Sequence, residues 1–182
     1  MNIKIDTTEQ DNLLKNLEWR ADIEASRIKR YLAMADLSRT EGSPIKELVK
    51  RITNIDDYKN FDIIEIPEVM STEIAFDFFD FPVDHVARSK SDTYYVDDNH
   101  ILRTQTTAMW YYYLRLPEVK EKMARKEPIG LFCHGKVYRK DEIDRHHMNV
   151  FHQIDALYIC PKETQEINLD TLKDVESKIV KA

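Results

Sequence analysis

The chain has 182 residues, 42% apolar and 33% charged, with a net charge of −6. That length is enough for one domain with a real core, and the mix is ordinary for a globular protein. The acidic balance argues against strong unaided nucleic-acid binding and leaves a local basic patch open, while three glycines are too few for a turn-rich all-β chain.

Cys133 and Cys160 have no CxxC partner and sit in apolar runs. They read as buried free thiols in a reducing compartment, with neither a thiolate zinc site nor a disulfide framework. No apolar run approaches the ~20 residues of a membrane span. The start "MNIKIDTTEQ" lacks a signal-peptide core. A cytoplasmic protein without a membrane partner is expected.

Along the chain, Thr7 or Thr8 caps a helix expected to run to about Asp36. Leu14, Leu17, Ala21, Ala25, Ile28, Leu32 and Ala35 form one apolar stripe on it. The stretch "SRTEGSP" reads as a linker, so residues 1–42 are expected as a helical arm and 43–182 as the main unit. Ser43 and Pro44 start a second helix, as N-cap and first-turn residue. Ile45, Leu48, Val49, Ile52 and Ile55 mark its buried face.

The segment "FDIIEIP" is a short strand stopped by Pro67. The Phe-rich stretch 68–90 reads as a structured loop, "DTYYVDDNHILRT" as a hairpin, and "TTAMWYYYLRLPEVKEKMAR" as one helix. Strands follow at 129–139 and 150–160, joined by a loop of about ten residues, and Asn168 caps a last helix. Two strands that close in sequence should pair antiparallel. The expected fold is α+β: an antiparallel sheet with flanking helices on one side, preceded by a long N-terminal helix. Neither GxxxxGKS/T nor GxGxxG occurs, so this is not a βαβ nucleotide fold.

The densest chemistry lies in "GKVYRKDEIDRHHMNVFHQIDALYI", residues 135–159. Arg139 ends an apolar strand, where a guanidinium can grip phosphate oxygens in a bidentate way. Asp141 and Glu142 beside it can bind Mg²⁺ together with ligand phosphates, or accept from an amine. His146 or His147 can add a contact to a distal phosphate. Gln153 and Asp155 alternate on the next strand and share a face, suited to an ammonium group. A surface salt bridge of Arg139 with Asp141 or Asp144 is the simpler alternative. The histidine spacing fits no strong metal pattern, so no protein metal site is expected.

Three stretches in order carry a resemblance. "FDFFDFPVDHVARSKSDTYYV" resembles NFDxLxxPxxHPARxxxDTFYV, "ILRTQTTA" resembles LLRTHTSP, and "GKVYRKDEIDRHHMNVFHQIDAL" resembles GRVYRxDxxDATHxxxFHQxEGL. All three are patterns of the phenylalanyl-tRNA synthetase α-subunit family, and the last is motif 2 of class II aminoacyl-tRNA synthetases. Ser43-Pro44, the helix after it and Pro67 resemble motif 1, so the resemblance covers roughly residues 43–175.

The resemblance implies an antiparallel catalytic sheet that joins ATP and phenylalanine as an aminoacyl-adenylate and passes the acyl group to tRNA(Phe). It implies ATP and Mg²⁺, and a β-subunit partner in an α2β2 assembly. Arg139 would hold the α-phosphate, Asp141 would lie near the adenine amine, and His147 would reach the distal phosphates. Gln153 and Asp155 would bind the amino acid's ammonium, while Gln105 and Thr107 would face its two polar ends. Arg103 would sit on the strand lining that pocket. Gln105 stands where the family shows His, Thr107 where it shows Ser, and Asp155 where it shows Glu; these departures fall at the amino-acid positions and not at the nucleotide positions. The family's Gly-rich motif 3 has no counterpart, so the chain is expected to be a fragment or a shortened relative. An inactive synthetase-like nucleotide-binding or regulatory protein, or a class II ligase for another amino acid, is the alternative.

Overall fold

The computed structural model describes residues 1–182. The chain opens with a strand absent from the expectations above, β1 (Asn2–Lys4). Then come two helices in place of the single long one: α1 (Thr8–Glu18) and α2 (Ile23–Leu32). The break follows from Asp22. Its carboxylate accepts from the Ala25 N–H at 2.9 Å, and a short acidic side chain competes with a helix interior but suits a cap. Lys29 donates to the Arg20 carbonyl at 2.7 Å, occupying a group left free at the end of α1. The continuous apolar stripe is thus folded back on itself. Leu17 of α1 and Ala25, Ile28 and Tyr31 of α2 enter one core cluster with Tyr94, Leu102 and Tyr138.

Ser43 caps α3 (Pro44–Thr53), accepting from the Ile45 N–H at 3.2 Å, with Pro44 in the first turn as predicted. Val49 and Ile52 are buried, but Leu48 is exposed, so the buried face is narrower than the sequence pattern. Next come β2 (Asp62–Glu65) and β3 (Val69–Ser71), then the one-turn α4 (Thr72–Ala75). The expected hairpin is present as a tight turn. Tyr95 bridges Ile101, and β4 (His100–Leu102) pairs antiparallel with β3 on its other side.

The expected helix after it is split into α5 (Met109–Tyr113) and α6 (Pro117–Ala124). Pro117 forces the break: Leu116 before it is extended, with ψ 134°. Last come β5 (Ile129–Tyr138), β6 (Val150–Ile159) and α7 (Leu169–Lys181), the last capped by Asn168 as predicted.

The main sheet has the order β1-β2-β5-β6. Only β5–β6 is antiparallel there; β1–β2 and β2–β5 are parallel, so the sheet is mixed rather than wholly antiparallel. Helices cover both faces, not one. Ile64, Leu131 and Cys133 face Met109, Tyr113 and Val119 of α5 and α6. Ile63, Phe132 and Ile154 face Ile52 of α3 and Val175 and Ile179 of α7. Both thiols are free; Cys133 is buried, and burial pushes it up to about 11, whereas Cys160 is only half-buried. No helix is long and apolar enough to cross a membrane.

Candidate functional site

The β5–β6 ladder pairs Val137 with Phe151, Gly135 with Gln153 and Cys133 with Asp155. Side chains alternate along a strand, so Phe151, Gln153 and Asp155 line one face. Arg139, one residue past β5, turns onto the same face. Its guanidinium carbon lies 5.3 Å from the centre of the Phe151 ring, and its Nε donates to the Thr104 carbonyl at 3.2 Å. The cation–ring contact, worth about 0.5–1 kcal/mol at an exposed site, aims the group across the sheet. Arg139 forms no ion pair. Neither Asp141 nor Asp144, the two candidates for a surface salt bridge, pairs with it, and Asp144 bonds His147 instead at 3.0 Å.

The segment after β4 supplies the wall. Gln105 is extended, and the chain then turns through a 3₁₀ helix at Thr106–Ala108. That turn brings Thr107 Oγ1 onto Asp155 Oδ2 at 2.6 Å and the Thr106 N–H onto Gln153 Oε1 at 3.3 Å. Arg139, Thr107, Gln153 and Asp155 therefore come together. Gln105 is half-buried in the same segment and its side chain caps nothing.

Asp141 and His147 are not brought to that face by any contact. Asp141 lines a cavity of about 530 Å³ with Arg27, Arg30 and Lys140. His147 is exposed in the 140–148 loop, and the Asp144 carboxylate bonded to it holds its pKa above the ordinary imidazole value.

Arg103 is buried rather than pocket-facing. It donates to the Lys136 carbonyl at 2.7 Å and the Ile66 carbonyl at 2.6 Å, tying the β3–β4 pair to the main sheet. Gly135, at φ +150°, makes room for it: a Cβ there would collide with Arg103 Nη2 and lie 3.0 Å from Arg39 Nη1.

Phe151 was not singled out from the sequence, although its spacing of two and four residues from Gln153 and Asp155 places it on their face. The Thr106 amide carries no sequence signal at all.

The opposite face is built from groups that bond within the protein. Lys136 Nζ donates to the Leu32 and Met34 carbonyls at 2.9 and 2.7 Å, at the end of α2, and lies 3.3 Å from Glu68. A cation there complements the helix C-terminus. His134 Nδ1 lies 2.8 Å from Ser38 Oγ. His152 Nε2 accepts the Leu37 N–H at 2.9 Å, which requires a neutral ring, so its 3.4 Å approach to Asp36 is not an ion pair. Burial lowers both imidazoles, His134 to about 4, with the charges of Arg39 and Arg103 adding to the effect there.

No three His, Cys, Asp or Glu side chains are grouped to hold a metal. The exposed carboxylates of the 140–148 loop suit Mg²⁺ only as an ion that arrives on a phosphate ligand and keeps its water, which is how Mg²⁺ usually binds. An unpaired arginine over an aromatic ring, beside a carboxylate and an amide on one open sheet face, suits a ligand with an anionic end and an ammonium end.

The family profile of the class II tRNA synthetase core domain (F) matches residues 28–182. This chain belongs to the class II tRNA synthetase core family. The synthetase chain is 35% identical over 148 residues to the phenylalanine–tRNA ligase alpha subunit of Malacoplasma penetrans, covering 81% of this chain and 40% of that protein. It is 30% identical over 173 residues to the alpha subunit of the same ligase from Fusobacterium nucleatum, covering 95% of this chain and 47% of the relative. It thus spans less than half the length of these two relatives. The fold matches a pyrrolysyl-tRNA synthetase from Desulfitobacterium hafniense with a TM-score of 0.60 at 19% identity, over 96% of this chain and 67% of that one. A second structure of a pyrrolysyl-tRNA synthetase from that organism gives 0.56 at 18% identity, over 98% and 68%.

Proposed function

We propose that this synthetase core takes part in activating phenylalanine with ATP and in transferring it to tRNA(Phe), as a phenylalanine–tRNA ligase acting in the cytoplasm with a β-type partner subunit. The observation that carries the reading is the unpaired Arg139 on the same sheet face as Gln153 and Asp155. Attack of a carboxylate on an α-phosphate builds negative charge on phosphate oxygens, and a fixed guanidinium stabilises it. Arg139 fills that role. Asp155, with Oδ2 bonded to Thr107, keeps Oδ1 for an ammonium, and Gln153 Oε1 has a second lone pair for the same group.

His147, whose protonated form Asp144 favours, reaches a distal phosphate if the loop closes over the nucleotide, and Asp141 approaches the adenine by the same movement. Gln105 faces the amino acid's carboxylate. Mg²⁺ travels with the triphosphate and neutralises its charge.

The test is ATP–pyrophosphate exchange with each amino acid in turn, on the chain alone and with a phenylalanine–tRNA ligase β-subunit. Phenylalanine-dependent exchange is expected. Exchange with a different amino acid would overturn the specificity, and ATP binding without any exchange would leave a nucleotide-binding protein.

A further inference from the structure

The exposed 140–148 loop, which follows Arg139, is closed at its base by one buried amide. Asn149 is 8% exposed. Its Nδ2 donates to the Arg139 carbonyl at 3.0 Å and the Asp141 carbonyl at 2.8 Å. Its own carbonyl accepts the Arg139 N–H at 3.0 Å. Both backbone polar groups of Arg139 thus bond to this one residue. The remaining atom, Oδ1, accepts from the Tyr31 hydroxyl at 3.2 Å. Tyr31 belongs to α2 and meets Tyr94 edge-on, with ring centres 5.2 Å apart; the Tyr94 hydroxyl donates to that of Tyr31 at 3.4 Å. All three side chains are buried, where a polar atom left without a partner is costly.

Only an amide completes this set, because it offers two donors to the loop carbonyls and an acceptor to the tyrosine. A carboxylate has no donor to give, and an aliphatic residue leaves all three partners unsatisfied.

We propose that Asn149, oriented by the Tyr31 hydroxyl, is a positioning residue for Arg139, so that helix α2 sets how well this face grips a nucleotide triphosphate. This rests on Arg139 as a phosphate-binding group. The side chain of Arg139 hangs from a backbone fixed at both N–H and C=O, and its other contacts, the Phe151 ring and the Thr104 carbonyl, belong to half-buried residues. Removing the tyrosine hydroxyl leaves Asn149 Oδ1 without a donor, so the amide turns toward water and its grip on both carbonyls loosens. The guanidinium then samples more positions and loses the advantage of being held in place.

The decisive variant is Tyr31→Phe, which keeps the ring packing. Calorimetric titration with ATP is compared among the unaltered chain, Tyr31→Phe, Arg139→Ala and the double variant, with hydrogen exchange followed for amides 139–149. Tyr31→Phe is expected to weaken ATP about five-fold, the worth of one neutral hydrogen bond. It should also speed exchange in the loop and lower the melting midpoint by only roughly 2–4 °C, the cost of one buried hydrogen bond. In the Arg139→Ala background the same change should have no further effect on affinity, the non-additivity expected when one residue acts through another. Additive losses, or Tyr31→Phe at full affinity while Arg139→Ala is weakened, would overturn the positioning role and leave the nucleotide site intact. Unaltered affinity in Arg139→Ala would overturn the nucleotide reading and this proposal with it. Asn149→Ala is a second variant, expected to weaken ATP more than Tyr31→Phe wherever it folds.

Discussion

The two faces of the β5–β6 hairpin carry similar residue types and use them in opposite ways. On one face Arg139 is exposed and forms no ion pair, while Asp155 keeps one carboxylate oxygen free. On the other face Lys136 is buried with two carbonyls and Glu68. His134 and His152 hold Ser38 and Leu37 there. Residue type alone therefore does not separate a ligand group from a structural one. What separates them is whether the protein already supplies the partners, since a buried charge persists only when paired and an exposed one needs no partner.

The largest test of that difference is Lys136→Met. It takes the ammonium away from two part-buried carbonyls and from Glu68, which keeps only its bond to the Tyr138 hydroxyl, and should cost about 3 kcal/mol. In a chain of this size that lowers the melting midpoint by roughly 6–12 °C. Denaturation of the pure protein reads it directly, and a loss below about 1 kcal/mol would mean the ammonium is not satisfied inside the fold.

The histidines of the same face give a pH signature. An unfolded imidazole titrates near 6.5, but His134 is held at about 4 by burial and by the Arg39 and Arg103 charges, and His152 is lowered chiefly by burial. Both are neutral when folded and bind protons when unfolded. The contribution of His134 is complete above pH 6.5 and is lost as pH falls toward 4, so stability should rise across that window by about 2–3 kcal/mol, with His152 acting in the same sense. His100 opposes this. Burial lowers it, but hydrogen bonds to Asp97 and Glu9 outweigh burial and raise it overall, so its contribution is present at low pH and fades as pH rises. His147 acts in the same sense from an exposed position. His134→Asn should remove about 2 kcal/mol of the rise and leave the opposing effect of His100 in place.

The ligand face answers to a different variant. Arg139→Ala should leave the melting midpoint unchanged and weaken ATP by roughly 10- to 100-fold, the range for a charge-assisted contact. Arg139→Lys should recover only part of it, because an ammonium lacks the two-pronged geometry. Unfolding of the alanine variant would place Arg139 with Lys136 among the internally satisfied groups.

Much of this was legible in the sequence where short-range chemistry decides the outcome. The Ser43-Pro44 start, the Asn168 cap and the two long strands follow from residues acting on their neighbours. The alternation of Gln153 and Asp155 likewise placed both on one face. What the sequence obscured depends on partners distant in the chain. The apolar stripe through α1 and α2 is continuous on paper, but α1 ends at Glu18 and Asp22 takes the Ala25 amide to start a new helix. Arg103 looks like a pocket residue until Ile66 and Lys136 supply its two carbonyls. Parallel pairing of β1 with β2 joins residues about sixty positions apart, which no local pattern reveals. Asp141 stands two positions from Arg139 in sequence, but the turn out of β5 sends it to the α2 side.

The smallest predicted effect sharpens the comparison where the ligand face is half occupied. Thr107 Oγ1 holds one oxygen of Asp155 at 2.6 Å, and Asp155 is one methylene shorter than Glu, so its carboxylate cannot fold back to choose its own orientation. Thr107→Val keeps the shape of the turn and removes the hydroxyl. If the threonine only fills space, amino-acid affinity stays constant. If it orients the carboxylate toward an ammonium, the amino-acid KM in exchange assays should rise about five-fold with kcat little changed, the cost of one hydrogen bond made equally in ground and transition states. ATP affinity should not move, because Arg139 rests on Phe151 and Thr104 and shares no contact with Thr107. A parallel loss of ATP binding would show instead that the two ends of the face are coupled through the sheet.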